Sequence, residues 1–203
     1  MEFNTQNYLL DVIRHIQKLD ISSIDALSAT LLATWETGNT IFTCGNGGSS
    51  ASASHLACDL TKFTRIDGVP PVKAISLCDN NSLISALTND WGFDSIFLEQ
   101  LRPVFAPGDA LVAISVHGGA GKEKASAWSQ NILRAAKYTK DNGGTVLSLT
   151  GYDGGPLAEI SDVSVVVRNE FDTLSTPIVE SIHPIIHHLV CESMRTEIKK
   201  HVA

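Results

Sequence analysis

From Thr40 onward, short apolar runs alternate with amphipathic stretches, and this alternation limits the chain to a parallel α/β sheet. The runs are Thr40–Cys44, Val72–Leu77, Ala110–Ser115, Thr145–Leu149 and Val163–Val167. Each is apolar throughout, the pattern of a strand covered on both faces. Helical patterns fill the gaps at about Ser49–Phe63, Asn81–Thr88, Lys122–Asn142 and Gly155–Ile160. A last helix is expected from about Pro177 to Lys199, because proline in the first turn loses no intrahelical hydrogen bond.

Two more helices precede the first strand. One spans about Asn4–Lys18, with Leu9, Leu10, Val12, Ile13 and Ile16 on its apolar face. The other is capped by Ser22 or Ser23, carries Ile24, Leu27, Leu31, Leu32 and Trp35, and stops at Gly38. Amphipathic helices outside a sheet need a partner surface, and a second copy of the chain is the nearest one. The 203 residues contain no repeat and no dividing linker. A single domain, 1–203, is expected, with 1–38 used in oligomerisation and 39–203 forming the sheet core.

The net charge of −7 and the lack of a basic run argue against direct nucleic-acid binding. No apolar run approaches ~20 residues, so no membrane span is expected, and the opening residues lack the pattern of a signal peptide. Cys44, Cys58, Cys78 and Cys191 are widely spaced and form no C-x-x-C pair. They read as small side chains in a reducing compartment, which points to a cytoplasmic protein.

The first strand runs straight into Gly45-Asn46-Gly47-Gly48-Ser49-Ser50 and then a helix. Glycines let the backbone turn tightly and approach a ligand. The helix start offers free N–H groups and a positive dipole end to an anion. The spacing fits neither the P-loop nor the dinucleotide fingerprint, and a plain turn capped by Ser49 accounts for it equally well.

The stretch Gly45-Asn46-Gly47-Gly48-Ser49-Ser50-Ala51, with His55, resembles the active-site loop of the sedoheptulose 7-phosphate isomerases, a branch of the SIS family. Four further segments resemble that family in the same order: Leu87-Thr88-Asn89-Asp90-Trp91-Gly92, Pro107-Gly108-Asp109, Leu149-Thr150-Gly151-Tyr152-Asp153-Gly154-Gly155 and His188-Leu189-Val190-Cys191-Glu192. The resemblance covers nearly the whole chain. It implies a three-layer αβα sandwich around a five-stranded parallel sheet, and a homotetramer with the N-terminal helices between subunits.

His55 and Asp59, four apart, share one helix face, and Glu180, His183, His187 and His188 lie within nine residues of the last helix. Imidazoles and carboxylates on two helices can build a zinc site, although such pairs are also common on solvated surfaces. The resemblance places metal ligands at His55, Asp59, Glu180 and His188, with aspartate where the family has glutamate and glutamate where it has glutamine. Two carboxylates favour a hard or borderline divalent cation, with zinc expected. At about 100° per residue, His187 lies nearer the azimuth of Glu180 than His188 does, and Pro184 can kink the helix between them. The family register selects His188, with His187 or His183 as alternatives.

The resemblance further implies an aldose–ketose isomerase acting on a phosphorylated sugar, sedoheptulose 7-phosphate or a close relative, through an enediol. Asp59 would be the base and His188 the acid. Asn46, Gly47, Gly48 and Ser49 of the loop, with Asn89, Asp90, Ser115, His117, Lys122 and Glu180, would bind substrate. The family's hydroxyl-rich loop after the third strand reads Ser115-Val116-His117-Gly118-Gly119-Ala120-Gly121-Lys122 here. Ser115 matches, while Val116, His117 and Ala120 depart; glycine amides and Lys122 can still hold an anion. His117 is either a substrate-selecting residue or a solvent-facing loop histidine, and Asn89 and Asp90 also fit simple turn chemistry. The altered loop leaves a second class open: a non-catalytic SIS regulator of the type that binds the replication initiator.

Overall fold

The computed structural model describes residues 4–119, 128–169 and 175–202. Five strands form one sheet: β1 (Thr40–Gly45), β2 (Lys73–Ser76), β3 (Ala110–Ser115), β4 (Thr145–Gly151) and β5 (Val163–Val167). Their order is β2-β1-β3-β4-β5 and every pairing is parallel. Successive residues face opposite sides. Ile41, Val112, Ile114, Leu147 and Val165 pack on one face, and Phe42, Cys44, Leu111, Ala113 and Val146 on the other.

Among the described residues, eight α-helices complete the three layers. They are α1 (Thr5–Gln17), α2 (Ile21–Glu36), α3 (Gly48–Lys62), α4 (Asn81–Trp91), α5 (Ile96–Leu101), α6 (Gln130–Asp141), α7 (Gly155–Ile160) and α8 (Ser175–Lys199). Apolar residues of α2, α3 and α8 cover the Ile41 face; those of α5, α6 and α7 cover the Phe42 face. Full burial of each such side chain contributes about 1.5–3 kcal/mol. The α/β sandwich is therefore as expected. Strand order reverses between β1 and β3, so the loops after those strands open at the switch point where ligands collect in such sheets.

Local signals shift some boundaries. Asp20, not Ser22 or Ser23, caps α2: its carboxylate accepts from the Ser22 backbone N–H and from both serine hydroxyls. Helix α4 runs on to Trp91, and α5 is an additional element. The described part of the fourth expected helix begins at Gln130, and Lys122 lies outside the described residues. In Pro107-Gly108-Asp109, the buried carboxylate of Asp109 accepts from the N–H groups of Thr40 at 2.8 Å and Ala106 at 2.7 Å. That aspartate ties the start of β1 to the turn before β3.

Helix α8 is docked by a buried polar contact as well as by apolar packing. His183 is fully buried, and its Nε2 lies 3.2 Å from the Thr150 carbonyl of β4. A carbonyl only accepts, so Nε2 carries the proton. Burial pushes the imidazole down to about 4 from an ordinary 6.5. The unfolded chain therefore takes up this proton first, so stability is full above about pH 6.5 and falls as pH drops toward 4. The group accounts for about 2 kcal/mol lost between pH 7 and pH 5. Denaturant titrations at the two pH values should show His183→Gln losing that much less than the parent; equal losses would remove His183 as the cause.

Candidate active site

The glycine loop is shaped by close approach. A Cβ on Gly45 would collide with the Ser49 carbonyl, and Gly47 sits at φ 56°, ψ −127°, open in practice only to glycine. Gly47 is the N-cap of α3 and no side chain caps the helix; Ser49 is buried instead. The Thr43 hydroxyl donates to the Ala53 carbonyl at 2.8 Å, fixing α3 to β1. Asn46 exchanges two hydrogen bonds with Asn131 of α6, at 3.0 and 2.8 Å. Asn131 is fully buried, so it holds the Asn46 side chain in place. Its role depends on a contact across 85 residues, which sequence spacing does not reveal.

Beside this loop opens a cleft of about 220 Å³, lined by Gly45, Asn46, Gly47 and Ser50 on one side and by Ile84 and Phe97 on the other. Asn89 and Asp90 do not line it. They are exposed at the end of α4, where the Asn89 amide donates to Asp90 at 2.7 Å. Ser115 is buried at the end of β3. His117 is half-buried rather than solvent-facing. Its ring stacks on Tyr152 at 4.9 Å and meets Trp128 edge-on at 5.4 Å. Tyr152 itself adopts φ 55°, a strained value for a non-glycine residue.

Helices α3 and α8 lie side by side in parallel register: Gly48 meets Glu180, His55 meets His187, and Phe63 meets Arg195. That register brings His55, Asp59, His187 and His188 together, with one ligand atom from each lying within 4.8 Å of the others. Asp59 Oδ2 is 3.4 Å from His55 Nε2, 3.4 Å from His188 Nε2 and 3.7 Å from His187 Nε2. Three of the four expected ligands thus converge, and His187, the weighed alternative, joins them. Glu180 stands apart. Its carboxylate packs on Gly48, where an added Cβ would fall 2.5 Å from Oε1. His183 points away, toward β4.

Burial, followed by neighbouring His188, His55 and His183, pushes His187 down to about 3. Burial, then Asp59, pushes the Cys191 thiol up to about 12. Both His187 ring nitrogens are buried without a hydrogen-bond partner. A neutral, unpartnered imidazole facing a carboxylate and two more imidazoles fits a divalent cation. Cys191, Asp59 and His188, with Phe63 and Glu192, line a cavity of about 440 Å³ that opens onto this cluster.

The two glycine contacts differ in kind. Gly45→Ala meets backbone, and should cost about 2–3 kcal/mol because the turn itself must move. Gly48→Ala meets only the flexible end of Glu180, and should stay within about 1 kcal/mol. Thermal unfolding of both variants checks the order, and equal shifts would contradict this account of the loop.

Residues 6–151 match the SIS domain family. The lincomycin biosynthesis protein LmbN of Streptomyces lincolnensis is 39% identical over 186 residues, 92% of this chain and 66% of that protein. The chain therefore spans about two thirds of that relative. The phosphoheptose isomerase of Aliarcobacter butzleri is 32% identical over 177 residues, covering 86% of this chain and 85% of its own. The structure of phosphoheptose isomerase from Neisseria gonorrhoeae superposes with a TM-score of 0.81 at 28% identity, covering 94% of this chain and 96% of that one. On the family match and these similarities, the chain belongs to the SIS domain family, in the branch of the phosphoheptose isomerases.

Proposed function

We infer that the protein is a phosphosugar isomerase that interconverts an aldose and a ketose phosphate, with sedoheptulose 7-phosphate or a close relative as substrate. The observation that carries this reading is the cluster of His55, Asp59, His187 and His188 in a chain whose relatives include phosphoheptose isomerases. The reaction removes a proton from the carbon beside a carbonyl and returns it to the neighbouring carbon, through a cis-enediol. In this reading the Asp59 carboxylate takes the proton and His188, reaching in from the other helix, supplies one. Asp59 Oδ2 and His188 Nε2 lie 3.4 Å apart, so the two side chains border one site; with a cation on Nε2, the proton would come from the other ring nitrogen of His188. A bound divalent cation, zinc in this reading, would polarise the carbonyl.

The loop residues Asn46, Gly47, Gly48 and Ser49, with Ser115, His117 and Lys122, are proposed to hold the phosphate and hydroxyl groups. Asn89 and Asp90 are proposed to reach the substrate from the exposed end of α4. The working compartment is proposed to be the cytoplasm, in keeping with four free cysteines. The chain is proposed to act as one SIS unit over 1–203, with 1–38 used in assembly and 39–203 as the sheet core.

Asp59→Asn keeps the size and removes the base. Turnover of the ketose phosphate should fall by ~10²–10⁴ with a modest change in KM. Unchanged turnover would take Asp59 out of the mechanism, and a parent protein that converts no sugar phosphate would overturn the reading itself.

Assembly follows from α1, which buries no residue within the subunit and exposes Leu9 by 57% and Ile13 by 49%. Ile21 at the start of α2 is 62% exposed. We propose that these side chains join copies into a homotetramer. Light scattering at micromolar concentration should give four times the chain mass, and Leu9→Glu with Ile13→Glu should lower it. A parent monomer would contradict the assembly.

A further inference from the structure

We propose that His187, not Glu180, completes the metal site, so that three imidazoles and one carboxylate select zinc, cobalt(II) or nickel(II) over magnesium and manganese(II). The inference rests on the isomerase reading only in treating the cluster as that enzyme's metal site.

Spacing is the first argument. A tetrahedral zinc ion with nitrogen and oxygen donors at about 2.0–2.1 Å has donor–donor edges of about 3.3–3.4 Å. Around Asp59 Oδ2 the three imidazole nitrogens lie at 3.4, 3.4 and 3.7 Å, and His55 Nε2 and His188 Nε2 are 3.5 Å apart. These four edges are already those of a zinc-sized tetrahedron, to within a few tenths of an ångström.

His187 supplies the second. Its side chain is completely shielded and neither ring nitrogen has a hydrogen-bond partner. Burying an unsatisfied imidazole is costly, and the group it faces consists of metal-ligating atoms.

Glu180 supplies the third. It lies eight residues before His188 on α8, about 12 Å of helical rise away, with its carboxylate against the first turn of α3. The Gly48 that it contacts lies seven residues, about 10 Å of rise, before His55 on α3. Among the described residues Glu180 makes no hydrogen bond or ion pair. It stands beside the glycine loop, placed to meet substrate hydroxyls.

The exchange changes the chemistry of the site. With one carboxylate instead of two, a bound divalent ion keeps a net positive charge, and the nitrogen-rich donor set disfavours cations that require oxygen ligands.

X-ray absorption on the zinc-loaded parent protein counts imidazoles directly and should find three; two would overturn the proposal. Chelator competition should show His187→Leu weakening zinc binding at least a hundredfold, while Glu180→Ala stays within threefold. The reverse order would also overturn it. Millimolar magnesium or manganese(II) should not displace cobalt(II) from the parent, as followed by its visible absorption, and displacement counts against the donor set. An inactive protein with all three metal results as expected would refute the isomerase reading and leave the site assignment standing.

Discussion

Helices α3 and α8 lie parallel on one face of the sheet, and their register sets the position of each group in the cluster. Leu56 and Leu60 of α3 and Ile182, Ile186 and Val190 of α8 belong to one buried cluster over β1, β3 and β4. Thr43 anchors α3 from below, and His183 anchors α8 through β4. Side chains in a packed core do not slide by fractions of a turn. Slipping α8 by one residue would rotate His187 out of the cluster and drive apolar side chains into solvent. The stability of the core and the geometry of the cluster are thus one constraint.

That constraint holds His187 without a second proton and Cys191 with its own. Burial and its neighbours keep His187 neutral throughout the physiological range, and Asp59 together with burial keeps Cys191 a thiol. Neutral imidazole is the ligand form, and a protonated thiol does not compete for the ion. His187 is therefore prepared for a cation without having to lose a proton first. The same burial destabilises the folded protein in acid, so ligand readiness and acid sensitivity share one cause.

Much of this was legible in the sequence. All five strands lie at the expected runs; β1, β3 and β4 are buried almost throughout because both faces of the sheet are covered, while the edge strand β2 leaves Lys73 and Ile75 exposed. Spacing and resemblance single out His55, Asp59 and His188, whose ligand atoms the fold brings within 4.8 Å of one another. What could not be read depends on distance along or across the chain. The azimuth argument placed His187 near Glu180, but azimuth says nothing about the rise that separates them, and the partner of Glu180 proved to be Gly48. The bond between Asn46 and Asn131 and the stack of His117 on Tyr152 join loops at the ends of different strands, with no periodic signature. Helix α5 has only six residues, too few to show a helical period.

The placement of Glu180 bears on which loop can accept a phosphate. A helix N-terminus favours one negative charge, and at α3 the Glu180 carboxylate already lies against the first turn. A phosphate brought to the same turn would face that carboxylate at close range, where like charges repel strongly. The other ligand-facing loop at the switch point follows β3, where Gly118 and Gly119 adopt φ of 59° and 98° and His117 is held against Tyr152. The Gly118 N–H donates back to the Ser115 carbonyl at 3.1 Å, and the Gly118 carbonyl accepts from the Leu157 N–H at 2.8 Å, so the positive φ serves a tight turn packed on α7. Val116 and His117, which stand where the family has hydroxyl residues, therefore sit in a turn held by its own main chain rather than by side-chain hydroxyls.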